Sequence, residues 1–332
     1  MDPLTHALAS YMLKRAAFPR LRRPATVAMV LAGTIADVDL LSAHFGPSAY
    51  ITWSRTFCHS VLAVLVIGFC AAAPFFFLHK GDAEKRIAPR SVFAAALAAS
   101  LLHVLFDLCQ AQGVMMLWPF TNRRFALDWI AHLDLWILGV LLAALLLPML
   151  ASLVTEEIGG KSKGLRGRAG ACMALAVIVV YISARGALHA SAVATLESRA
   201  YHGESPRHAA AFPESTSPFT WNGVVETERA LLELPVSVGP GSSFDPDAAR
   251  TFYKADPSPA LDAALTTRTA RRFLAYARFP RASVEKIAEG NRVRLQTYPF
   301  NPDFRVQALI EVSPTAQILS ETLSYDFGAR QP

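Results

Sequence analysis

Six apolar runs, at roughly residues 3–18, 24–43, 58–78, 91–112, 129–150 and 169–192, set the terms on which this chain can fold. Inside hydrocarbon a backbone must satisfy its own hydrogen bonds, so runs of this length become helices. Composition agrees: at 53% hydrophobic and 17% charged, the 332 residues are too apolar for an ordinary soluble protein of this size. The first run is the shortest. At about 1.5 Å per residue it reaches ~24 Å against a ~30 Å hydrocarbon core, so it would thin the bilayer or sit inside a bundle. Asp2 and Pro3 are its expected N-cap and first-turn residues. MDPLTHALAS lacks the basic leader and small-residue cleavage site of a signal peptide, so this segment is expected to stay in the mature protein.

Basic residues fall in every second loop. Lys14, Arg15, Arg20, Arg22 and Arg23 join the first two runs; Lys80, Lys85, Arg86 and Arg90 the third and fourth; Lys161, Lys163, Arg166 and Arg168 the last two. The alternate loops hold only Arg55, Arg123 and Arg124. If the basic loops are cytoplasmic, both the N-terminus and the long C-terminal part are expected outside, in the periplasm if the cell is a Gram-negative bacterium with the helices in its inner membrane. The net charge of +6 thus reports orientation, and no nucleic-acid partner is expected. Trp53, Trp118, Trp129 and Trp136 fit an outer aromatic belt. Cys58, Cys70, Cys109 and Cys172 show no metal-finger spacing and read as packing residues.

Against this background the ionisable residues at helix edges need a reason, because hydrocarbon does not solvate them. His103 and Asp107 are four apart and share a helix face, as a metal-ligand pair or a hydrogen-bonded helix tie would. Asp37 and Asp39 are two apart and cannot face the same way in a regular helix. They suit a helix end, where cations must neutralise them, one must take up a proton, or water must solvate both. His59 opens the third run, with Arg55 a turn earlier, placed either to clamp an anion or to meet lipid head groups. His6 joins them through the topology. On the six-helix reading His6, Asp37, Asp39, His59, His103, Asp107 and Asp134 all lie at outer helix ends, which favours one outward-facing polar pocket. Asp134 is either a further ligand or a helix-terminal charge.

Beyond about residue 193 the sequence resembles a soluble protein. A linker is expected over 193–217, rich in Ser and Pro near its end, then a domain over 218–332. Alternation around Asn222-Gly223 suggests strands and a hairpin turn. Residues 260–279 read as one amphipathic helix, and 291–299, 304–312 and 316–326 as strands. The whole is expected to be an α-helical integral membrane bundle of about six helices, residues 1–192, followed by a small α+β extracytoplasmic domain.

Four segments, DPLTHALAS, GTIADVDLL, RTFCHS and HVLFDLCQAQGVMMLWPF, occur in an order and spacing that resembles the YdjM-like family of predicted membrane-bound metal-dependent hydrolases. SPFTWNGVVET and YARFPRASVEKIAEGNRV resemble that family's outer C-terminal domain. More distantly, His103 and Asp107 resemble the HxxxD element of zinc-dependent phospholipase C and S1/P1 nuclease-like helical enzymes. Their downstream His and Glu ligands have no match here, so one or two ions are expected.

The resemblance and the cluster together imply hydrolysis of an ester or phosphoester at the outer membrane face. His6, His59, His103 and Asp107 are the expected ligands of a divalent metal, zinc or else manganese. Asp37 or Asp39 would bridge ions or accept a proton from water, and Arg55 would stabilise developing charge. A pocket at the bilayer surface favours a lipid or lipid-linked substrate. The rival expectations are a membrane scaffold with a structural metal site and an ion-coupled transporter; the latter predicts polar residues on both sides of the midplane.

Overall fold

A computed structural model of the protein describes residues 1–77, 88–157, 166–240, 242–298 and 305–326. Lys80, Lys85, Arg86, Lys161 and Lys163 of the orientation argument lie outside them. The chain divides into two compact units. The first comprises Met1–Asp39, Arg55–Leu188 and Pro213–Pro218; the second comprises Leu40–Ser54, His189–Phe212 and Phe219–Pro332.

Helix α1 (Pro3–Ala17) starts as its sequence dictates: the Asp2 carboxylate accepts from the Thr5 amide at 2.9 Å, with proline in the first turn. The second run does not form one helix. Helix α2 (Arg23–Ala32) stops at Gly33, and the chain tightens into a 3-10 helix over Ile35–Phe45, bent by 45° from α2. So long a 3-10 stretch is uncommon and often marks a functional or strained segment. Helix α3 (Pro47–Trp53) and a 3-10 turn (Phe57–His59) then precede α4 (Val61–Phe77), with a 66° bend between Pro47–His59 and Val61–Phe76.

Helix α5 (Pro89–Leu108) buries Ala95, Ala96, Ala99 and Ser100. Small residues on one face let helix backbones approach closely in a membrane. Here Ser100 Oγ donates to the Ala32 carbonyl at 2.8 Å, and a side chain on Gly33 would collide with Ser10 and sit 3.3 Å from Ala99 Cβ. Helix α6 (Leu135–Glu157) begins later than its apolar run, because Asp134 caps it by accepting from the Trp136 and Ile137 amides. Helix α7 (Arg166–Glu197) has 32 residues, about 48 Å of helix, more than a ~30 Å core requires.

By length and composition, Pro89–Leu108 and Gly167–Glu197 are able to cross a membrane. The two bent pairs raise the number to four if each is one span, and the apolar helix Leu135–Ala151 is shorter.

Beyond α7, the described residues form eight strands in two four-stranded sheets, ordered β1-β2-β3-β4 and β5-β6-β7-β8. The first contains β1 (His208–Pro213), β2 (Thr220–Glu226), β3 (Ala230–Ser237) and β4 (Arg250–Tyr253); the second contains β5 (Pro280–Ile287), β6 (Gly290–Thr297), β7 (Val306–Val312) and β8 (Ile318–Tyr325). Residues 299 and 304, at the ends of two expected strands, lie outside the described residues. The expected single helix over 260–279 is two, α8 (Pro259–Leu265) and α9 (Arg268–Tyr276). The Thr267 hydroxyl donates to the Ala264 carbonyl and accepts from the Ala270 amide, ending one helix and capping the next.

Two other expectations are corrected. Asn222-Gly223 is not a turn: both residues pair within β2 and β3, opposite Pro235 and Leu234. Glycine is present there because Leu196 packs onto the strand, 2.7 Å from where a Cβ would stand. Nor is 193–217 an open linker. It contains the end of α7 and the strand β1, whose Ala210, Ala211 and Phe212 are buried. The rest, Pro213–Pro218, belongs to the first unit, where buried Arg185 of α7 donates to the carbonyls of Ser217 and Pro218.

Replacing Gly33 with Val should destabilise the protein by about 1–3 kcal/mol through overpacking. Gly139→Ala, in open space on α6, should be neutral or slightly stabilising. Thermal unfolding of the two variants in the same detergent checks the contrast.

Candidate metal centre

Asp107 sits in the last turn of α5, fully buried, and six groups converge on its two oxygens. On Oδ1 these are the Met1 amine, His6 Nε2 at 3.2 Å and the Gln110 side-chain amide at 3.0 Å. On Oδ2 they are His59 Nε2 at 2.9 Å, Arg55 Nη1 at 3.3 Å and His103 Nε2 at 3.4 Å. His6, His59 and His103 are each at most 1% exposed. The His6 and His103 rings stack, with centroids 3.7 Å apart.

Two of the three histidines are aimed by a neighbour. His103 Nδ1 donates to the Gly33 carbonyl at 2.9 Å, which turns Nε2 into the cluster. The break of α2 at Gly33 therefore serves the site directly. His59 Nδ1 lies 3.0 Å from Asp39 Oδ2, so its Nε2 also faces inward, 3.2 Å from Nε2 of His103. Two imidazole nitrogens so close, both facing one carboxylate, need a proton or a cation between them.

The two aspartates of the 3-10 segment separate by role. Asp37 points its Oδ1 at the histidines, 3.7 Å from His103 Nε2 and 4.0 Å from His59 Nε2, while its Oδ2 is buried with no hydrogen-bond partner. Asp39 stands behind His59 and accepts the Arg55 amide at 2.7 Å on Oδ2. Arg55 itself is 2% exposed, takes a φ of 55°, and reaches Gln110 Oε1 at 3.1 Å.

His6, Asp37, His103 and Asp107 form a group whose ligand atoms all lie within 4.8 Å of one another, so it could hold a metal ion. Ligand atoms about 2.0–2.1 Å from a tetrahedral zinc stand about 3.3 Å from each other, close to several of the separations here. The donor set is mixed imidazole and carboxylate, a combination that divalent metal ions take. The orphaned Asp37 oxygen also fits a cation, since a buried carboxylate oxygen without a partner is costly.

Asp134, open in the sequence between a further ligand and a helix-terminal charge, takes the second place. It caps α6 and accepts from the Tyr181 hydroxyl at 3.1 Å. Gln110 was not foreseen, although its position three residues after Asp107 continues the same helix face. Asp107→Ala, which strands buried Arg55, should lower stability by about 3–5 kcal/mol in chelator-treated protein, whereas Asp134→Ala should cost about 1–2 kcal/mol as a lost cap. Unfolding in denaturant compares the two.

The segment that carries this cluster is also the part of the chain with recognisable kin. A family model described as YdjM inner membrane protein matches residues 1–192 and leaves the C-terminal part outside the match. No curated protein and no solved structure matches the chain. Matched over more than half its length, the chain belongs to the YdjM inner membrane protein family.

Proposed function

We propose that the protein is a membrane-bound metal-dependent hydrolase acting on an ester or phosphoester, lipid-linked in the simplest case, at the outer face of the inner membrane. The observation that carries this reading is the Asp37 carboxylate, one oxygen buried without a partner and the other 3.7 Å from the inward-facing nitrogen of His103. His6, Asp37, His103 and Asp107 would hold the ion, with zinc the first candidate and manganese the second. A divalent ion bound there would supply acidified water and polarisation of the scissile bond.

The chain's own residues would do the rest. His59, backed by Asp39, is placed to take a proton at Nε2. Arg55 carries a fixed positive charge beside Asp107 and would balance negative charge on a phosphoester oxygen. Asp39 acts through both, since it meets the ring of one and the backbone of the other. In the arrangement we propose, six membrane segments place this cluster and the C-terminal domain outside. Supporting it are the basic residues in alternate loops and the location of the cluster at helix ends.

Burial favours one second reading. With Asp107 and His59 wholly enclosed, the ion could be structural, tying α1, α5 and the 3-10 segments together. Metal analysis and turnover separate the two. Detergent-purified protein supplied with zinc and manganese should carry stoichiometric metal, and His103→Ala and Asp107→Ala should lose it. A chromogenic phosphodiester or ester in mixed micelles should be cleaved by wild type, and chelation should abolish the activity reversibly. Metal without turnover on any ester class supports the structural ion; no metal at all sinks both readings.

A further inference from the structure

The site is interrupted in sequence by a segment that folds elsewhere. The chain leaves after Asp39 and returns at Arg55, and the residues between, Leu40–Ser54, belong to the second unit. Ala43, Tyr50 and Ile51 are buried in one hydrophobic core with Phe273 of α9, Val293 of β6 and Ile310 of β7. Tyr50 has no exposed surface, and its ring meets those of Tyr276 and Tyr325 edge-on, with centroids 6.4 Å away in each case. The Tyr325 hydroxyl donates to the Ala43 carbonyl at 2.8 Å, and Arg272 reaches the Ser48 hydroxyl at 3.3 Å.

Both ends of this excursion are site residues. Its neck is closed by the hydrogen bond from the Arg55 amide to Asp39, and the Arg55 carbonyl accepts from Met115 at 3.0 Å. Arg55 also holds a left-handed backbone conformation, which a non-glycine residue keeps only where its surroundings over-determine it. A free loop of this length would leave both ends to fluctuate. Packing its middle into a folded core removes that freedom.

We infer that Tyr50 is a positioning residue for Asp37, Asp39 and Arg55: by anchoring the excursion in the core of the C-terminal domain, it holds these three in the geometry of the metal centre. The excursion is on this account part of the site's construction, and whatever loosens the core that buries it loosens Asp39 and Arg55 through the chain itself. The metal arm of the test below rests on the metal reading; the exchange arm does not.

Full-length protein in detergent is compared as wild type, Tyr50→Ala, Tyr50→Phe and Tyr325→Phe. Hydrogen exchange is followed over residues 37–59, and zinc affinity is measured by chelator competition. Tyr50→Ala should speed exchange over 37–59 by at least about tenfold and weaken zinc by a similar factor, while α5 peptides keep wild-type protection. Tyr50→Phe should restore both. Unchanged exchange and unchanged zinc affinity in a folded Tyr50→Ala protein would overturn the inference. If that variant does not fold, Tyr325→Phe decides: exchange at the Arg55 amide should rise about threefold, and no rise counts against the inference. If wild type holds no zinc, the metal reading falls and exchange alone decides the role of Tyr50.

Discussion

A carboxylate with no solvent, at the end of an apolar helix, costs several kcal/mol unless its surroundings neutralise it. Asp107 is that group, and much of the first unit can be understood as its compensation. Helix α1 brings His6, the turn at Phe57–His59 brings His59, α5 itself supplies His103, and the chain leaving α5 supplies Gln110. Compensation is nevertheless incomplete. Asp37, Asp39 and Asp107 outnumber the fixed cations around them, and oxygens of both Asp37 and Asp39 are buried without hydrogen bonds. A site built only to bury Asp107 would have no use for two more carboxylates, whereas a cation site would.

How much of this could be read in the sequence depends on which periodicity governs each residue. His103 and Asp107 were legible because four residues on an α-helix make one face whatever surrounds it. That Asp37 and Asp39 face different ways followed from their spacing. Which of them faces the inward nitrogens of the histidines did not, because a 3-10 helix winds differently from the α-helix its apolar run implied. Gln110 lay inside the expected run 91–112 but beyond the helix that forms, which ends at Leu108, so its direction could not be read from the helical phase of the run.

The excursion was hidden for another reason. Ala43 closes an apolar run, where hydrophobicity alone does not distinguish a protein core from lipid, and Tyr50 and Ile51 lie in the stretch between two runs, too short to show which core would bury them. β1 was concealed differently: its alanines sit in a stretch that Ser and Pro marked as linker. Asn222-Gly223 misled in the opposite direction. The dipeptide signals a turn by its conformational freedom, but here glycine is used for the space its missing side chain leaves to Leu196.

The number of donors bears on what a bound ion would do. A structural zinc is closed by four ligands, while a catalytic one keeps a position for water or substrate. His6, Asp37, His103 and Asp107 already make four, and His59 Nε2 points inward beside them at 2.9 Å from Asp107. A fifth inward donor is surplus to one closed tetrahedron. It is useful if a second ion joins, or if His59 stays off the metal and handles a proton. Asp39, held against its Nδ1, would stabilise the protonated ring and so favours the second use. An imidazole braced from behind by a carboxylate is also the usual arrangement of a metal-ligating histidine, so the brace serves the proposed reading in either way, with His59 as a proton acceptor or as the ligand of a second ion.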